Sequence, residues 1–91
     1  MKRRYTDVWE ALEGSEVAAS LRARSALMIE ITELIRRSDW TQRDAAKRFG
    51  VTQPRISDLM RGRIDLFSLD TLVDMAAAGG LKPRITVKRA A

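Results

Sequence analysis

Residues 41–63 read TQRDAAKRFGVTQPRISDLMRGR, two short helical patterns with Gly50 between them. Thr41 stands before Gln42, Arg43 and Asp44. Its hydroxyl is placed to accept from the first free N–H groups of a helix while Asp44, three residues on, reaches back to the Thr41 amide. The helix that follows turns Ala45, Ala46 and Phe49 inward, and Ala46 is small enough to let a second helix cross close by. Gly50 supplies the left-handed residue that ends it. Thr52 then caps again, and Pro54 falls in a first helical turn, where a missing N–H costs nothing. The second helix is expected from roughly 53 to 61, with Gly62 as its stop.

Helical phase sorts the side chains of this second helix. At about 100° per residue, Ile56 and Leu59 share one face with Met60 beside them, whereas Pro54, Ser57, Asp58 and Arg61 point the other way and Gln53 projects from the N-terminal tip. The first set is core. The second includes an amide able to bond adenine N6 and N7 together (Gln53), an apolar ring suited to a thymine methyl (Pro54), and a flanking Arg55 able to reach guanine or phosphate. Ser57 suits a base or a phosphate. Asp58 faces the same way, and there an acid must accept from a cytosine amino group or tie down Arg55 or Arg61.

The register resembles the helix-turn-helix of phage-repressor and Cro-like proteins, the XRE family: Gln42 opens the first helix, Ala46 sits at the crossing, Gly50 at the turn, and Val51, Ile56 and Leu59 at core positions. The wider wording, WTQ at 40–42, GVTQPRIS at 50–57, RGR at 61–63 and FSLDTLV at 67–73, is similar to a compact XRE subgroup that includes HigA-type antitoxins. The resemblance spans about residues 25–88. It implies a phosphate contact for Gln42 and a base contact for Gln53.

Charge sits where such a surface needs it. Of 17 Lys and Arg against 12 Asp and Glu, residues 1–40 hold seven of each, residues 41–63 hold six basic and two acidic, and residues 64–91 hold four and three. Most of the net charge of +5 lies in the motif. Such a basic face attracts phosphate at long range and releases counterions on binding. An RNA reader is disfavoured, because the motif offers no aromatic stacking platform and the A-form major groove is too narrow for a helix.

Composition limits the chemistry. There is no Cys and no His, so disulfides, zinc thiolates, His-ligated metals and a Ser-His-Asp triad are excluded, and no cofactor or metal site is expected. No acids, lysines or serines recur at a catalytic spacing, so no enzyme is expected. There is no apolar run of membrane-span length, and MKRRYTDVWE lacks the apolar core of a signal peptide, which points to a cytoplasmic protein without membrane contact.

At 91 residues one domain is expected, with a core modest enough that burial in a dimer would add stability. Residues 1–14 form an N-terminal segment in which Tyr5, Val8, Trp9 and Leu12 make an amphipathic turn or two; Trp9 and Leu12 either fold back or contact another protein. Ser15 is placed to cap a long helix to about residue 38, with Val17, Leu21, Met28, Ile31, Leu34 and Ile35 as its apolar stripe and Leu27 and Ile29 widening it. Ser68 caps a further helix, with Phe67 and Leu72 forming a hydrophobic staple across its start, and Gly79 and Gly80 end it. Then the period changes. Leu81, Pro83, Ile85 and Val87 alternate with Lys82, Arg84, Thr86 and Lys88, the pattern of a β-strand over 81–88 that needs a partner edge. Ile85 and Val87 are therefore candidate contacts for another protein.

The expected architecture is all-α: a compact five-helix, lambda-repressor-like domain with a short C-terminal strand. The expected function is sequence-specific binding of double-stranded operator DNA by a homodimer. Gln53, Pro54, Arg55, Ser57 and Asp58 would read bases, and Gln42, Arg43, Arg61 and Arg63 would hold phosphates. The resemblance further implies an antitoxin that neutralises a HigB/RelE-like toxin and represses its own operon; the alternative is a free-standing phage-type regulator.

Overall fold

The computed structural model describes residues 14–89, and its local structure follows the caps. Helix α1 (Gly14–Arg37) is closed by Ser38, whose N–H reaches the Leu34 carbonyl at 3.1 Å, and by Asp39 in the left-handed region at φ 58°. Trp40 then bonds back to Ile35, and Thr41 starts α2 (Gln42–Phe49). The Thr41 hydroxyl accepts from the Asp44 amide at 3.0 Å, and the Thr41 amide donates to the Asp44 carboxylate at 3.3 Å, so the reciprocal cap forms as expected. Gly50, at φ 70°, ends the helix, and its own N–H bonds Ala46. Helix α3 (Gln53–Met60) begins under the Thr52 hydroxyl with Pro54 in its first turn, and Gly62 follows it at φ 75°. A single 3-10 turn (Ile64–Leu66) leads to α4 (Leu69–Ala78), where Ser68 accepts from Thr71 N–H.

One core joins these elements. Met28, Ile31 and Ile35 of α1 meet Ala45, Ala46 and Phe49 of α2, Ile56 and Leu59 of α3, Phe67, and Leu72, Met75 and Ala76 of α4. Phe67 and Leu72 are both buried, as a staple across the start of α4 requires. Helix α1 packs along α4 and touches α3 and the 3-10 turn, while α2 lies between α3 and α4. Gly79 permits this arrangement, since a Cβ there would run into the Phe49 ring. Trp40 also packs on Phe49, edge to face with centroids 6.2 Å apart, and carries the Arg48 guanidinium 4.3 Å above its own ring.

Three expectations need correction. The described residues form four α-helices and one 3-10 turn; the fifth helix has no counterpart among them, and the Trp9–Leu12 segment lies outside them. Helix α1 starts at Gly14, so Ser15 is inside it, and its apolar stripe is buried only from Met28 onward: Val17 and Leu21 are exposed, as is Ile29. Residues 81–88 form no strand. Leu81 bonds the Ala76 carbonyl and packs on the core, but the alternating residues after it find no sheet edge among the described residues, and Pro83 has no N–H to offer. Ile85 and Val87 stay 77% and 88% exposed. No described helix is long and apolar enough to cross a membrane.

Candidate nucleic-acid interface

The surface is built where α2 and α3 meet. Because Ala45, Ala46 and Phe49 anchor α2 and Ile56 and Leu59 anchor α3, the remaining faces of both helices are held at fixed phase. Gln42, from the first turn of α2, lines one shallow depression with Gln53, Pro54 and Ser57 of α3. Side chains eleven or more positions apart in sequence thus share one patch, with amide, hydroxyl and apolar ring presented together. Gln53 and Pro54 are exposed, and Gln42 and Ser57 half-buried. The cations around them, Arg43, Arg61 and Arg63, are all exposed.

Two of the expected side chains are occupied. Asp58 takes a hydrogen bond from Arg61 at 3.1 Å, an i,i+3 pair in which Arg61 remains 61% exposed, so the acid ties down a neighbouring arginine. Arg55 is turned away from the depression: Nη1 donates to the Leu66 carbonyl at 3.0 Å, and the guanidinium carbon lies 4.3 Å from the Phe67 ring centroid. Ile85 and Val87 are exposed on the C-terminal tail, away from the core.

Periodicity offered no sign of Arg24. From the middle of α1 its Nη1 reaches the carbonyls of Ile64 at 3.4 Å and Phe67 at 3.5 Å, while Nε is buried with no partner among the described residues. An arginine flanked by alanine and serine looks like a solvated helix position. Trp40 stands in the sequence only as part of WTQ, yet its ring packs on Phe49 of α2. Among the described residues no group of three or more acids is placed to hold a metal.

A family model described as a helix-turn-helix domain matches residues 12–88, a span that takes in every described helix. The chain belongs to this helix-turn-helix domain family. No curated protein matches the chain significantly. The helix-turn-helix assignment accounts for Gly50, whose left-handed turn lets α3 follow α2 across the small Ala46, and for the exposed N-terminal end of α3.

Proposed function

We propose that this helix-turn-helix protein is a sequence-specific DNA-binding repressor that lays α3 in the major groove. The observation that carries this reading is the shared depression of Gln42, Gln53, Pro54 and Ser57 with exposed Arg43, Arg61 and Arg63 around it. Gln53 can bond an adenine edge in two places, Pro54 can meet a thymine methyl, and the Gln42 amide can bond a flanking phosphate. Two copies would read half-sites about one helical turn apart. Selection of duplexes from a randomised pool by the full chain, followed by titration at several salt concentrations, tests it. An enriched sequence bound with a steep inverse salt dependence is the expected result; a pool that stays random sinks the reading.

The finer assignment is a HigA-type antitoxin that also binds a HigB/RelE-like toxin and represses its own operon. It is supported by the resemblance of GVTQPRIS and FSLDTLV and by the exposed Ile85 and Val87. A small reading frame of that toxin type beside this one, whose product forms a complex with this chain and loses its RNA-cleaving activity, is expected. Absence of such a neighbour leaves the free-standing regulator.

A further inference from the structure

Two arginines from different helices converge on one short turn. Arg24 of α1 donates to Ile64 and Phe67, and Arg55 of α3 donates to Leu66 and lies over the Phe67 ring. Within the turn, Leu66 N–H bonds Arg63 and Phe67 N–H bonds Ile64, while the Phe67 side chain is itself buried in the core. The turn is therefore closed internally and gripped from two sides. Arg24 keeps this position although its Nε is buried without a partner among the described residues.

We propose that Arg24 and Arg55 form a clamp on the Ile64–Phe67 turn that fixes the orientation of α3, and that Arg55 is a positioning residue for DNA recognition rather than a side chain that touches DNA. The second half rests on the DNA-binding reading; the clamp does not. Arg55 leaves α3 in its first turn, the end that carries Gln53 and Pro54. Ile56 and Leu59 anchor α3 from within, and holding the Arg55 guanidinium between a backbone carbonyl and a buried ring adds an outer restraint on its rotation at the end where those two side chains point. Only arginine fits this task, because its planar fork stacks on a ring and bonds a carbonyl at once, whereas lysine preserves charge alone.

The test uses the full chain, a duplex enriched from a random pool, and a scrambled copy of that duplex. In the nuclear magnetic resonance spectrum of the free protein, the Arg55 δ and ε protons should lie upfield under the Phe67 ring and move back in Phe67→Leu. Coil-like shifts for Arg55 overturn the clamp whatever happens on DNA. In titrations, Arg55→Lys and Arg24→Gln should each lower the cognate-to-scrambled ratio on the order of tenfold and leave the salt slope unchanged. A slope lower by about 1 in Arg55→Gln, restored by Arg55→Lys, would make Arg55 a phosphate contact and overturn the positioning role. Loss of discrimination at one base pair alone would make it a base contact, with the same consequence. A pool without enrichment removes the positioning role together with the DNA reading, and the Arg55 resonances then decide the clamp by themselves.

Discussion

Gln53 and Arg61 bracket α3, one exposed at its first position and the other just past its last. In the proposed DNA-binding reading, replacing Gln53 by Ala should cost about 1–3 kcal/mol on the cognate duplex and relax selectivity at one base pair, because its amide would bond that base in two places. Arg61→Ala should weaken every duplex alike and reduce the salt slope by about 1. Equal losses for Gln53→Ala on cognate and scrambled duplexes would remove it as a base reader. Asp58→Asn should act oppositely to Arg61→Ala, tightening all duplexes most at low salt, since it releases the Arg61 guanidinium and deletes an acid beside the groove. Gln53, Pro54 and Ser57 were legible in the sequence because two caps and a helical period fix their directions. Arg55 was not: a long side chain chooses its partner in three dimensions, and Leu66 and Phe67 come within its reach only once the turn has formed.

Glycines show how far element boundaries can be read. Gly50 was recognisable as a helix stop, and its φ of 70° with open space around it means a substitution there meets backbone strain alone. Gly79 was expected only to end α4, yet at an ordinary φ of −84° its real service is to leave room for Phe49. Gly79→Ala should therefore destabilise the protein by about 1–3 kcal/mol through displacement of the ring. Combined with Phe49→Leu, the loss in urea unfolding should fall short of the sum of the two single losses, the signature of neighbours sharing one space. Strict additivity would mean the ring moves aside freely. The capped helices α2, α3 and α4 were legible because a capping hydroxyl and apolar residues agree at each start; the strand is absent from the described residues because alternation reports a chain that suits a sheet edge, and those residues offer none.

At the scale of the whole molecule, the segment after Leu81 carries the most exposed large apolar side chains of the described residues, Ile85 and Val87. Pro83, Arg84, Ile85 and Thr86 border a groove of about 310 Å³ against Ala23, Ala26 and Leu27 of α1 and Leu69 and Val73 of α4. Residues 82–89 carry four cations and no acid. If two copies meet through these tails, the cations of one face those of the other, and like charges repel. Dimerisation should then strengthen as salt rises while DNA binding weakens, and truncation after Leu81 should leave the helical signal intact and the dimer looser; sedimentation at matched concentrations reads both. An equally tight truncated dimer would move the interface onto the helices. Helix α1 adds a consequence in time rather than space. Its 24 residues span roughly 36 Å, but only the part from Leu27 onward packs on the core, while Val17 and Leu21 are exposed. The part before Leu27, residues 14–26, is of a length at which a helix is only marginal alone in water. Amide protons should therefore exchange with solvent in a gradient along one continuous helix, within reach of local fraying near Val17 and approaching the rate of global opening near Ile31 and Ile35. Between those limits lies Arg24, so the lifetime of its grip on the Ile64–Phe67 turn is set by how far the fraying runs.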